Sequence, residues 1–465
     1  MASVFMNTAV FRHSRCRAFH MAYRQNITFA GDKTKVMQKA IFTLLFFVST
    51  AAVFAADIKV DKTGQIAGSV PTISQAITTA ANGDRIVVFS NGLTYTENLT
   101  IDKSLTFLSA AEGEYFYVTG HIKYVGANSR EITVIGMHQL GNDSASGTVA
   151  VGSRCIVNIV DCEINGYVIF NQDGYDVNVL YNTIQYATEL RYGKVIANKI
   201  GVEAGDNTFN GELRVTAESA AYGQGDTLFI IANRMFKADN TGVTYQLNFD
   251  NSNLRYFIAN NTIRNGILNS TGYTSSRTCI NIVNCYMTDS ANVCINNFLS
   301  GIETTSGCSL ASTYALTQLK GIKAENFVNN IFKNRYQANY GCGSLGMRGD
   351  YNLYDYYRGV PLSGIVDNNY FNTGQNVTYT YDPITGKALT GNAVIDAGKP
   401  GVNYMDIDLT RSDLSTYGGP YTQANYWDTA NPQGGRGRVF LLNMPANIYS
   451  LTTPVSIKAN ATHTK

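Results

Sequence analysis

The sequence predicts an all-β solenoid of stacked parallel strands, a parallel β-helix, and three observations carry that prediction. The first is a recurring phrase: two apolar residues, then Asn or a small substitute, one variable residue, and another apolar one. It reads Ile159-Val160-Asp161-Cys162-Glu163-Ile164, Leu180-Tyr181-Asn182-Thr183-Ile184, Ile196-Ala197-Asn198-Lys199-Ile200, Ile231-Ala232-Asn233-Arg234-Met235 and Ala259-Asn260-Asn261-Thr262-Ile263. Later copies are Val283-Asn284-Cys285-Tyr286-Met287, Val328-Asn329-Asn330-Ile331-Phe332 and Asp367-Asn368-Asn369-Tyr370-Phe371. Repeats of this kind cannot bury their apolar faces alone and must stack. The second observation is that the apolar stretches are short, rich in Val, Ile, Phe and Tyr, and broken by Asn and Gly too closely for helices. The third is size against composition. The chain has 465 residues, 42 Gly, 8 Pro and 15% charged side chains, and a solenoid lengthens without thickening its core.

The elements follow in chain order. Residues 1–36 read as an unstructured extension arising from an early start site, with Met37 as the true first residue. Residues 37–55 read as an export signal: Lys39 precedes an apolar run from Ala40 that ends in Val53-Phe54-Ala55, with cleavage after Ala55. The run is short for a membrane span, and nothing later is long or apolar enough to serve as one. Residues 1–55 hold seven Lys or Arg and one Asp out of totals of 36 and 34, so the remainder carries a net charge of −4. That balance gives no electrostatic footprint for nucleic acid.

Thr72-Ile73-Ser74-Gln75 has the form of a capping box, Ile73, Ala76, Ile77 and Ala80 share one helical face, and Gly83 ends the run. A short helix is therefore expected to cover the open apolar end of the solenoid. Strands then start at Arg85–Phe89, and the coils run to about residue 372. Equivalent positions from Cys162 through Asn182, Asn198, Asn233 and Asn261 to Cys285 are 20, 16, 35, 28 and 24 residues apart. Such steps suit a coil of roughly 20 to 25 residues with loops inserted in some turns. Asn fits the bend because it tolerates left-handed backbone angles and its amide bonds neighbouring backbone, and stacked coils would bring these amides about 4.8 Å apart in a ladder. Domain limits are expected at 56–420 for the solenoid and 421–465 for C-terminal capping strands, the alternation of Val439, Phe440 and Leu441 and then Val455, Ile457 and Ala459 suggesting edge strands at the far end.

Seven cysteines follow the export signal: Cys155, Cys162, Cys279, Cys285, Cys294, Cys308 and Cys342. An odd number leaves at least one outside any intramolecular bridge. Cys162 and Cys285 share a phase of the repeat and read as small apolar substitutes for Asn. No CxxC pair occurs, so neither zinc nor thioredoxin-like redox chemistry is supported.

These phrases resemble the right-handed, single-stranded parallel β-helix superfamily typified by pectin and pectate lyases. Gly92 to Phe107 is similar to the opening coil of secreted β-helix proteins, including pectin methylesterases. Ala393-Val394-Ile395-Asp396-Ala397-Gly398 with the Asp-rich stretch Asp406 to Pro420 resembles the closing segment of secreted bacterial β-helix proteins. This chain departs from that pattern with Leu409 where Gly often stands and Ser415-Thr416 before Tyr417. The resemblance implies export and a carbohydrate ligand, and its catalytic sets do not carry over. The Gly-His-Gly and Arg-x-Lys phrases of polygalacturonases and the Arg-x-Pro-x-x-Arg phrase of pectate lyases are missing. Gln224-Gly225-Asp226-Thr227-Leu228 is similar to a methylesterase Gln-Asp-Thr-Leu phrase but is interrupted by Gly225, and the second carboxylate phrase is absent.

Other candidate groups are few. After the signal the histidines are His121, His138 and His463, the first two reading as structural. Asp406, Asp408 and Asp413 could collect around Ca²⁺, a hard cation that takes several oxygens, or could cap turns; no other cofactor is implied. Among 30 Tyr, the cluster Tyr351, Tyr354, Tyr356 and Tyr357 and the lone Trp427 beside Tyr421 and Tyr426 are the binding candidates, because Tyr offers an apolar face and a hydroxyl to a sugar ring. Two readings stand open: a monomeric, exported or cell-surface protein that binds polysaccharide or surface glycan or serves as an adhesive or structural module, and a polysaccharide lyase or glycoside hydrolase with its active groups in the loops.

Overall fold

The computed structural model describes residues 55–111, 113–201, 211–219, 221–222, 226–237, 244–250, 254–265, 277–282, 292–300, 313–318, 322–336, 350–357, 364–366, 368–371, 381–382, 385–389, 394–406, 408–427, 437–443 and 458–463. The proposed start-site extension and all but the last residue of the export signal lie outside these. Strands dominate, and they wind through three long sheets of eleven, nine and thirteen strands. Each coil gives one strand to each sheet: Cys155–Val160, Glu163–Ile164 and Val168–Phe170 are followed by Tyr175–Leu180, Thr183–Ile184 and Thr188–Leu190, paired in parallel with the coil before. This is a parallel β-solenoid topology. The thirteen-stranded sheet ends where Gly364–Val366 and Asn369–Phe371 pair antiparallel, which breaks the parallel progression.

The core lies inside the coils. Period-two alternation turns Val157, Ile159, Ile164, Val168, Phe170, Val177 and Val179 inward, all fully buried. Burying each such side chain contributes about 1.5 to 3 kcal/mol.

The first bend, between the eleven- and thirteen-stranded sheets, is built on a ladder of amides. Asn182 Oδ1 accepts from the Cys162 backbone N–H at 2.8 Å, and Asn198 Oδ1 accepts from both Asn182 N and Asn182 Nδ2, at 2.9 and 3.0 Å. The same pair of bonds links Asn198 to Asn233, Asn233 to Asn261, Asn261 to Asn297, and Asn297 to Asn330. Asn330 continues to Asn352, and the Asn352 N–H to Asn369 Oδ1. Each spare amide proton goes to a carbonyl of the preceding coil, as Asn198 Nδ2 to Val179 O at 2.7 Å. Two corrections follow. The rung after Asn261 is Asn297 and not Cys285, which lies outside the described residues; and the left-handed residue is the one before each rung. Asp161, Tyr181, Ala197, Ala232, Asn260, Asn296, Asn329, Tyr351 and Asn368 all have φ between 51° and 59°. The rung residue is therefore selected for its amide, not for its backbone freedom. Cys162 is the first rung and Cys155 and Cys294 are buried in the core, all three unbridged thiols.

The second bend uses small residues instead. Gly120, Gly141 and Gly166 stack so closely that a Cβ on any of them would overlap the carbonyl of the coil below. Asn98 and Asn142 accept there from His121 N and Tyr167 N.

The N-terminal helix, Ile73–Thr79, packs over the first coils as expected, and Thr72 Oγ1 accepts from Gln75 N. The other free helix-end groups are met from outside the helix: the Glu97 carboxylate takes the Ile73 and Ser74 N–H groups, and Lys103 Nζ donates to the Ile77, Thr78 and Ala80 carbonyls. A carboxylate at the N-terminus and an ammonium at the C-terminus satisfy orphan backbone groups and oppose the helix dipole. The expected edge strands, Gly437–Asn443 and Lys458–His463, pair only with each other and join none of the three sheets.

A buried carboxyl lies against the core. Asp143 is fully buried, and its Oδ2 accepts from Tyr124 Oη at 3.2 Å. Burial pushes its pKa up to about 7 against the hydrogen bonds from Gln139 and Tyr124. The folded chain thus holds a proton that the unfolded chain releases near pH 4, so stability should fall as pH rises from about 4 to about 7. Melting curves across that range should show the slope in the unmodified protein and a flatter profile in Asp143→Asn; an unchanged slope would refute the assignment.

The ladder makes a second prediction. Asn198→Leu or Asn261→Leu should cost about 1 to 3 kcal/mol for each buried partner left unsatisfied, whereas Cys162→Ser at the ladder's first rung should cost far less. Urea denaturation midpoints rank the three variants, and equal losses would show that the amides are not what holds the bend.

Candidate functional site

The residue after each ladder rung opens a strand of the thirteen-stranded sheet and faces outward, because the next one turns into the core. Register pairs place Thr94, Tyr117, His138, Glu163, Thr183, Lys199 and Arg234 in one column. Their inward neighbours Tyr95, Val118, Ile164, Ile184, Ile200 and Met235 are buried. With strands about 4.8 Å apart, the column from Tyr117 to Arg234 spans about 24 Å.

Its chemistry is mixed. Tyr117 is 39% exposed, and its ring centroid lies 5.1 Å from that of His138, tilted by 36°. His138 Nδ1 is 2.8 Å from Glu163 Oε2. An ionised carboxylate only accepts, so Nδ1 carries the proton, and in the neutral ring Nε2 is left as the acceptor. Beside this column stand Leu140, 46% exposed, and the pair Tyr167 and Tyr186, stacked with centroids 4.9 Å apart and planes 19° from parallel. The face thus offers flat aromatic surfaces interleaved with hydrogen-bonding groups.

Further along, the same column changes character. Thr262, Phe298, Ile331 and Leu353 follow in register and are all buried. The C-terminal segment 394–427 covers them together with Tyr381 and Ala388: Val394, Ala397 and Leu414 close over Phe298, Ile331 and Leu353, and Tyr381 meets the Phe298 ring at 4.8 Å. This strap is fastened by the left-handed Asn residues of the bend. Asn260 Nδ2 donates to Thr416 O and Gly418 O, Asn296 Nδ2 to Ser412 Oγ and Asp413 O, and Asn329 Oδ1 accepts from Lys399 N. Tyr426, Tyr421, Tyr404 and Trp427 lie on an apolar shelf that includes Ala197, Ala232 and Ala259.

The residues singled out from sequence fall mostly on or under this strap. Tyr351 is a half-buried bend residue beneath the Arg411 guanidinium, 5.3 Å from its ring centroid. Tyr354, Tyr356 and Tyr357 belong to the strand Leu353–Tyr357, and their side chains lie outside what is described. Tyr354 shares the register position of the core residue Phe332. Tyr426 is buried, and the Tyr421 ring packs edge-on against Phe257 at 5.0 Å.

Asp406, Asp408 and Asp413 tie the strap's turns. Asp406 accepts from Asp413 N and Gly419 N, Asp408 from Thr410 N and Oγ1, and Asp413 from Asp396 N. No group of three or more ligating side chains that could hold a metal occurs among the described residues. Of the Gln224–Leu228 phrase, Asp226 is described: its Oδ2 lies 3.3 Å from Arg154 Nη2. Arg154 also binds the buried Glu218 at 2.5 Å and the Tyr222 carbonyl, and lies over the Tyr192 ring. Asp226 thus helps pin an inserted loop. His121 Nδ1 accepts from Asn142 N, a structural bond, whereas His138 faces outward.

The outward column was missed in the sequence, although its signal is there: reading the residue after each rung gives Glu163, Thr183, Lys199 and Arg234, then Phe298, Ile331 and Leu353. Comparison with protein-family models, with curated proteins and with solved structures finds no match in any of the three.

Burial, and then the carboxylates of Asp406, Asp396 and Asp408, push the Asp413 pKa up to about 6 against its bond from Asp396 N–H. The folded strap therefore keeps a proton that the unfolded chain loses near pH 4, and its stability falls as pH rises between those values. Asp413→Asn keeps an acceptor without the charge. It should raise the melting temperature by about 1 to 2 °C near neutral pH and leave it unchanged near pH 4; a lower melting temperature at neutral pH would contradict this.

Proposed function

We propose that this chain is an exported, monomeric glycan-binding protein built as a right-handed, single-stranded parallel β-helix of the pectin lyase-like kind. One observation carries the reading: the in-register outward column from Tyr117 to Arg234, flanked by the stacked Tyr167 and Tyr186. A rigid row whose step matches the advance of a pyranose unit can stack on sugar faces and bond their hydroxyls along an extended chain. The apolar export signal of residues 37–55 and the resemblance of both end segments to secreted β-helix proteins support delivery to the outside or to the cell surface. No helix among the described residues is long and apolar enough to cross a membrane.

A second reading, a polysaccharide lyase or hydrolase, has one observation in its favour: the His138 and Glu163 pair holds an imidazole in a fixed tautomer on that same face.

The test is a screen of the protein from residue 56 onward against pectins, other uronic-acid glycans and host-type glycans, reading binding and new reducing or unsaturated ends together. Binding without product is expected. Tyr117→Ala should weaken it about 2- to 12-fold, the equivalent of about 0.5 to 1.5 kcal/mol for one aromatic platform. Product formation that falls about 100-fold or more in His138→Ala would replace the binding reading with the enzymatic one.

A further inference from the structure

We propose that the exposed face is closed at one end and that Arg234, stacked on Trp427, receives the terminal unit of a bound acidic glycan chain; this rests on the glycan-binding reading above. From Tyr117 to Lys199 each outward residue of the column is at least partly exposed. One coil on, Arg234 lies with its guanidinium 4.3 Å over the Trp427 ring, and its Nε donates to Gln423 Oε1 at 3.3 Å. The next residue in register, Thr262, has no exposed surface, and its hydroxyl is bonded to Thr385 O and Gln423 Nε2. Beyond it Phe298 is sealed beneath Tyr381. A ligand advancing along the column therefore meets the strap after Arg234.

That wall is fixed at several points. Trp427 Nε1 donates to Ala232 O at 2.8 Å and Gln423 Nε2 to Asn260 O at 3.0 Å, both on the bend of adjoining coils. The indole is thus held by the coil it sits on, and Arg234 is clamped between indole and amide. Among the described residues no hydrogen bond uses Arg234 Nη1 or Nη2. A planar guanidinium fixed in this way presents its remaining donors to a carboxylate, for which its fork geometry is suited. A blocked row ending in a preorganised cation selects a chain end, where an open-ended row would take any internal stretch of the polymer.

Stoichiometry on the unmodified protein tests this. The probes are oligogalacturonates of increasing length and long polygalacturonate, titrated calorimetrically with the bound ratio checked by sedimentation. Affinity is expected to rise with oligomer length until the row is filled and then to level off, with the long polymer binding in proportion to its number of ends. Arg234→Gln should weaken the oligomer at least tenfold and bring the methyl-esterified oligomer to parity with the acidic one, a shift that a merely structural loss would not produce. Many copies bound along each polymer chain would overturn the closed end while leaving the glycan face intact. Absence of binding to oligomer and polymer alike would overturn the glycan-face reading itself, and this inference with it.

Discussion

The ladder of amides at the first bend is the constraint on which the rest of the molecule depends. A solenoid must turn the chain sharply between sheets in every coil and do so in the interior, where an unpaired N–H or C=O is costly. Asn solves both needs with one side chain: its carbonyl takes the N–H of the rung below and its amide returns protons to the ladder and to the previous coil. Because rungs bind one another, the spacing of the coils is fixed at the bend, and the strands on either side inherit their register. The loops inserted between rungs vary widely, from the 16 residues separating Asn182 and Asn198 to the 36 separating Asn261 and Asn297. The rungs still meet at about 3 Å. Loop length is thus decoupled from the frame.

The same three positions around each rung explain how one repeating phrase yields two different outer surfaces. The residue before the rung takes the left-handed turn and points its side chain away from the core. In the early coils it is Asp161, Tyr181, Ala197 or Ala232; from Asn260 onward it is Asn in most copies. The doublets Asn260-Asn261, Asn296-Asn297 and Asn329-Asn330 therefore mark the coils on which the strap lies, the first Asn holding the strap and the second holding the ladder. The residue after the rung changes in step, from Glu163, Thr183, Lys199 and Arg234 to Phe298, Ile331 and Leu353. Polar residues stand where the sheet meets solvent, and apolar ones where the strap seals it.

That correspondence shows how far the sequence could be read. The all-β solenoid, the helix at its N-terminal end and most rungs are visible because they rest on local rules: periodicity, capping and a repeated Asn. Rung Asn297 is hidden because its phrase, Cys294-Ile295-Asn296-Asn297-Phe298, stands 36 residues after Asn261 and breaks the count, while Asn352 keeps an ordinary step of 22 from Asn330 but stands in the phrase Tyr351-Asn352-Leu353, without the apolar pair before it. Cys285 took the place of Asn297 because the strand Arg277–Ile282 also ends in an apolar and Asn pattern, yet it belongs to the nine-stranded sheet. The outward column is harder still to see. Tyr117, His138 and Glu163 lie more than 20 residues apart in sequence, and only the coil register brings them side by side. Residues up to 420 were expected to belong to the solenoid itself, with 421–465 capping its far end. The strap's contacts with Asn260, Asn296 and Asn329 carry it along the side instead, and the Asn doublets that mark those contacts gain their meaning only from the tertiary packing.

The position of the strap also accounts for the crowding of acidic groups within it. Asp406 and Asp413 sit in tight turns where backbone N–H groups have no strand partner, and a carboxylate is a strong acceptor for them. Burial, and then the neighbouring carboxylates, raise the pKa of Asp406 and Asp413, whereas the exposed Asp408 is lowered by its bonds from Thr410. A cation could neutralise such a group, but here the carboxylate oxygens already accept from Gly419, Asp413, Thr410 and Asp396, so their geometry is set by the turns they close. The Asp-rich segment is on this account a fastening. Its Asp residues hold its turns, the bend's Asn residues hold it to the coils, and its aromatic end, Tyr421 to Trp427, sets where the open face of the sheet stops.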